Sequence, residues 1–116
     1  MTKKTYALNA SQIKPLATGR GGGIATDMIT VHGKPVGYMV REDTSRPQDS
    51  GWCFMAGDES QDYMDNPENH AIYAVNTIPN YSPDIIPLLD APPMSAFFRD
   101  ARTSQLVQIP YEAPLE

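Results

Sequence analysis

Residues 47–98 of this 116-residue chain contain no lysine and no arginine, yet they hold eight acids. The chain has one cysteine and one tryptophan. A single Cys excludes an intramolecular disulfide and a Cys-based zinc cluster. No apolar run comes near the length needed to span a bilayer. The opening stretch, MTKKTYALNASQIKPLATGR, is basic but has no apolar centre and no small-residue cleavage site. No signal peptide is expected from it, and the cytoplasm is the expected compartment. The run Gly19-Arg20-Gly21-Gly22-Gly23 is glycine-rich, but Ile24 stands where the last Gly of a dinucleotide fingerprint belongs. The Lys-Ser/Thr pair of a P-loop is missing too, so phosphate binding is not expected there.

What is present is proline and acid. Eleven prolines in a chain of this length imply many short elements with fixed turns rather than long helices. The length fits one domain over 1–116, with its core in 21–110 and peripheral segments at 1–20 and 111–116. The net charge of −5 is uneven. Residues 1–46 carry seven cations and three acids, a net of +4; residues 47–98 are at −8; residues 99–116 are at −1. Either the two halves neutralise each other in the fold, or an acidic face is left to attract a basic partner and repel nucleic acid.

Alternation of apolar residues predicts a β-hairpin from 24–31 and 35–41, turning at His32-Gly33-Lys34, which leaves His32 exposed. Ser11 is placed to cap a short helical turn before Pro15. Gly51 to Ala56 reads as a strand with Trp52 and Phe54 on one face and Cys53 and Met55 on the other. Apolar residues on both faces suggest a central strand or one covered by a helix. A helix over about 59–65 is expected, with Asp58 as N-cap, Gln61 at the capping-box position and Asn66-Pro67 as the stop. Ala71 to Thr77 reads as a strand. Ser82, Pro83 and Asp84 form a helix start. Met94 to Arg99 and Leu106 to Ile109 read as strands, and the tail from Pro110 as loosely held. Connections this short do not suit repeated βαβ crossovers. The expected class is α+β, an antiparallel or mixed sheet with two or three short helices packed on it. Trp52, Phe54, Ile72, Ile85, Leu88 and Leu89 are the expected core.

Few side chains point to chemistry. The acids from Asp58 to Glu68 lack the central Gly of an EF-hand loop, and a helix start explains them without a metal. Cys53 sits mid-strand, where a small buried thiol is the ordinary outcome, and His70 precedes a strand as a turn or cap residue. No carboxylate pair is singled out for acid/base work. An enzyme with a small pocket beside Trp52, Asp58 and His70, or a small-molecule-binding or regulatory module, remains the alternative to a protein-binding domain.

Four segments carry a specific resemblance: GKPVGYMVRE at 33–42, DSGWCFMAGDE at 49–59, YMDNPEN at 63–69 and IYAVNTIPNYSPDIIPLLDAP at 72–92. Together they resemble a bacterial family first catalogued as a domain of unknown function and now grouped as immunity protein family thirty-three of polymorphic-toxin systems. The position after the Trp, charged or bulky in that family, is Cys53 here. The resemblance implies a small, cytoplasmic, non-enzymatic protein that binds and neutralises a cognate toxin. It brings no catalytic residues, cofactor or metal. The expected partner is a toxin with a basic surface, not nucleic acid or membrane. The acidic segment then supplies the expected contact residues: Asp58, Glu59, Asp62, Asp65 and Glu68, with Tyr63 or Tyr81 as aromatic anchor.

Overall fold

The computed structural model describes residues 4–44 and 48–111. Six strands form one mixed sheet: β1 (Gly22–Thr26), β2 (Tyr38–Arg41), β3 (Asp49–Met55), β4 (His70–Ala74), β5 (Ser95–Arg99) and β6 (Leu106–Ile109). Their spatial order is β4-β1-β3-β2-β5-β6. β1 and β3 run parallel, and the other neighbouring pairs are antiparallel. Two short α-helices, α1 (Asp27–Thr30) and α2 (Gln61–Asp65), join 3₁₀ turns at Ala10–Gln12, Pro67–Asn69, Val75–Asn80 and Pro83–Leu88. The class is α+β, as the sequence implies.

The expected hairpin of 24–31 with 35–41 does not form. β1 pairs with β3 and β4, while β2 lies between β3 and β5. The strand ends at Thr26 because the chain then coils into α1, which buries Ile29 and Thr30. Gly33, at φ +75°, closes that turn by donating its amide to the Ile29 carbonyl at 3.0 Å. His32 is exposed in the turn, as expected.

Three other boundaries shift. The strand expected to run to Thr77 stops at Ala74, where a 3₁₀ helix begins. Pro79 and Pro87 interrupt the amide series needed for α-helix, so both segments after β4 are 3₁₀. Ser82 does not cap its helix. Its hydroxyl accepts from the Val36 amide at 3.2 Å and donates to Asp84 at 2.8 Å. α2 begins at Gln61, capped by Ser60 rather than Asp58. The Ser60 hydroxyl accepts from the Tyr63 amide at 3.1 Å. Gln61 makes no capping box and instead donates to Asp65 at 2.8 Å.

The core lies between one face of the sheet and the two 3₁₀ segments. Trp52, Phe54, Met39 and Phe97 project from the strands, and Val75, Ile78, Ile85 and Leu89 meet them. The Trp52 indole stacks on Phe54 at 5.8 Å and donates Nε1–H to the Leu89 carbonyl at 3.3 Å. Leu88 packs against this cluster from its margin. Ile72 does not belong to it: it is 77% exposed on the opposite face.

The N-terminal segment, expected to be peripheral, is tied to the core cover by two asparagines. Asn76 accepts from the Leu16 and Ala17 amides at 2.7 Å and donates to the Lys14 carbonyl at 3.0 Å. Asn80 accepts from the Lys14 amide at 2.9 Å. Ala17 is thereby buried. The tail after Tyr111 lies outside the described residues, as does Pro47 of the β2–β3 connection.

Candidate functional site

The acid-rich segment is less bare than its sequence suggests. Cations from outside it reach three of its eight acids. Lys34 pairs with Asp58 at 2.6 Å, Arg99 with Asp84 at 2.7 Å, and Arg20 with Asp90. The Lys34 hydrogen bond holds the Asp58 carboxyl below its ordinary range, and Arg99 does the same for Asp84. Glu59 folds back on its own loop. Its carboxylate accepts from the Ala56 and Gly57 amides at 2.8 and 2.9 Å and from the Thr26 hydroxyl. It closes the turn after β3, so it is a structural residue.

The remaining expected contact residues divide as follows. Asp62, Asp65 and Glu68 are exposed. The Tyr63 hydroxyl oxygen is shielded from solvent, and that desolvation raises its pKa. The Tyr81 hydroxyl donates to the Thr30 carbonyl at 3.1 Å and accepts from the Leu8 amide at 3.3 Å. It clips the N-terminal segment to α1. Asp58 precedes α2, so it does not share a helix face with Asp62.

Trp52, Asp58 and His70 do not converge. Asp58 turns to Lys34, and His70 Nε2 lies 3.1 Å from the Met64 carbonyl. Among the described residues, no group of three or more His, Cys, Asp or Glu stands where it could hold a metal ion.

A different feature emerges from the sheet register. Pairing places Ile72, Ile24, Cys53, Val40, Ala96 and Ile109 in one row, one residue from each of the six strands. A second row holds Met55, Tyr38, Phe98 and Val107. Strand alternation puts both rows on the face opposite Trp52 and Phe54. Val40 and Ala96 are buried within the first row, whereas Ile24, Ile72, Phe98 and Val107 remain exposed. The apolar residues on both faces of β3 carried this signal, which the sequence left open between a central strand and one covered by a helix. At the Thr26–His70 end of this face α2 lies close by, with His70 Nε2 3.1 Å from the Met64 carbonyl; Ile24 and Ile72 at the other end are left open.

At one end of the face lies a groove of about 570 Å³. Ile24, Cys53 and Ile72 form its floor; Glu42, Asp43 and Asp49 border it. Its shape follows from an irregularity in the sheet. Between Gly22 and Ile24 the β1–β3 register slips, so that Gly22 pairs with Asp49 but Ile24 with Cys53. Ser50 bridges the gap: its hydroxyl donates to the Gly22 carbonyl at 2.6 Å and accepts from the Trp52 amide at 3.1 Å. Gly51, at φ +83°, occupies the irregularity and binds Glu42 through its carbonyl at 2.8 Å. Glu42 is further held by the Tyr111 hydroxyl.

Cys53 reports the electrostatics of this face. Desolvation, followed by the charges of Glu42 and Glu59, pushes its thiol up to about 11. The thiol therefore stays protonated at neutral pH and gains its thiolate only in strong base. Iodoacetamide at pH 8 should label folded Cys53 about a hundredfold more slowly than an unstructured cysteine peptide, since two pH units separate their thiolate fractions. Labelling at nearly the peptide rate would contradict this environment.

The chain matches the Immunity protein Imm33 domain over residues 23–110. It belongs to that family, and the match takes in all six strands apart from the first residue of β1. No curated protein and no solved structure matches it.

Proposed function

We propose that this protein binds a cognate toxin in the cytoplasm and neutralises it by occlusion, with no chemistry of its own. Membership of the Imm33 family over residues 23–110 carries the reading. The surface charge supports it. Asp62, Asp65 and Glu68 are exposed and stand outside the four ion pairs found among the described residues. Together with a net charge of −5, they create a field that draws in a basic surface. A toxin that acts on nucleic acid needs such a surface to hold its substrate, so it is vulnerable to an acidic plug.

Expression of the protein encoded beside this gene should arrest growth, and co-expression of this chain should restore it. The purified pair should form a stoichiometric complex. Asp62→Lys with Asp65→Lys should slow association about tenfold at low salt and much less at high salt, as expected for steering by a screened field. Arrest that persists on co-expression, with no complex formed, would refute the function. An association rate unmoved by the double reversal would remove α2 from the steering surface.

A further inference from the structure

We propose that the groove on the sheet face opposite Trp52 and Phe54 is the contact surface for the partner, and that it takes an apolar side chain flanked by Lys or Arg from a basic protein. The identity of that partner as a toxin rests on the function proposed above. The groove itself rests on independent observations.

The first is the floor. Ile72, on edge strand β4, is 77% exposed, and Ile24 beside it is 39% exposed. These two pair directly across β1 and β4, and Ile24 pairs with Cys53 across β1 and β3. Two adjacent strands thus present apolar side chains to solvent at one level of the sheet, with the half-buried Cys53 beside them. The same row runs on through Val40, Ala96 and Ile109, but Val40 and Ala96 are buried, so the exposed apolar area lies at the Ile24–Ile72 end. A contiguous exposed apolar area of this kind marks an interaction site far more often than scattered single residues do.

The second is the rim. Glu42, Asp43 and Asp49 border the groove, and among the described residues none of the three belongs to an ion pair and no Lys or Arg lines it. Glu42 and Glu59 both act on Cys53, so the negative potential extends along β3. This charge selects the occupant. A second copy seated face to face would bring the acidic rims of two chains with net charge −5 together, which is unfavourable. A basic segment meets the rim with opposite charge, and its apolar side chain covers Ile24 and Ile72. The expected division of labour follows: the α2 acids steer the approach, and the groove sets how long the complex lasts.

The experiment uses the full chain and two synthetic hexapeptides, Arg-Lys-Leu-Leu-Lys-Arg and its acidic twin Glu-Asp-Leu-Leu-Asp-Glu. Amide shifts are followed by nuclear magnetic resonance at low salt. The basic peptide should give saturable shifts centred on Ile24, Glu42, Asp43, Cys53 and Ile72, and the acidic twin none. Ile72→Lys should abolish these shifts without changing the fold, because Ile72 is largely exposed. Asp43→Lys with Asp49→Lys should do the same. Shifts centred on residues 61–68 instead, or no saturable shifts, would overturn the proposal. So would a dimer that dissolves on Ile72→Lys, since the occupant would then be a second copy. The same variants are measured against the product of the neighbouring gene. If that protein binds wild type and both groove variants equally, the groove falls and the immunity function stands. If it binds none of them while the basic peptide still fills the groove, the immunity function falls and the groove stands.

Discussion

Phe54→Ala is expected to destabilise the protein by about 3–5 kcal/mol, the usual cost of deleting a buried aromatic ring. Phe54 is fully buried on the strand at the centre of the topology. Trp52 stacks on it, and Met39 pairs with it across β2 and β3. The ring also lies 3.4 Å from where a side chain on Gly23 would begin, so it spans the β1–β3 seam. A cavity there touches both sides of the parallel pair, and the 3₁₀ cover is too constrained by its prolines to collapse into it. Urea denaturation followed by circular dichroism measures the loss. Ile72→Ala is the control and should change stability by no more than about 0.5 kcal/mol, as is usual for exposed positions. A Phe54→Ala protein with an unchanged midpoint would mean that the core is centred elsewhere.

Gly51→Ala should have an effect of similar size for a different reason. The backbone at Gly51 has φ +83°, a region that strains any residue with a side chain. A Cβ there would also lie 2.2 Å from the Glu42 carbonyl oxygen, so β2 and β3 would have to separate at their ends. Backbone strain and overlap together should cost about 2–5 kcal/mol. The damage should also reach the groove, because Glu42 borders it and is held by Gly51. Gly19→Ala is the contrast. It has a similar φ of +81°, but nothing lies within 4 Å of an added Cβ, so strain alone should act. Equal destabilisation by the two substitutions would show that the close approach to Glu42 contributes nothing.

Most of the fold class was legible because β2, β3, β5 and β6 are short apolar runs bounded by turn residues, with alternation clear in β3. Failures occurred where tertiary contacts overrode local pattern. Residues 27–30 are rich in strand-forming types, but burying Ile29 and Thr30 under the sheet requires a helical turn. Asp58 has the right chemistry for a cap, but Lys34, distant in sequence, claims it and the cap passes to Ser60. The acidic segment was legible as composition but not as surface, because its counter-ions come from Arg20, Lys34 and Arg99. The groove was legible only as a puzzle. Apolar residues on both faces of a strand ordinarily mean two covering layers, and only the exposure of Ile24 and Ile72 shows that one end of the second face is left open. Glu42 and Asp43 gave no signal of their own, since they enter the site through the register slip at Ser50–Trp52.

The lone tryptophan separates two events that most assays confuse. Both Trp52 and its neighbour Cys53 line the groove, but Trp52 is 2% exposed and its indole is stacked on Phe54 on the core side of β3. Its fluorescence should be that of an indole out of water, shifting to the red when the core opens. A partner seated on the far side of the same strand does not touch the ring. The emission wavelength should therefore stay constant through a titration with any ligand of the groove, even as affinity is read by other means. A shift on binding would mean that docking had reached through the sheet and rearranged the packing of Phe54, Leu89 and Arg41 around the indole.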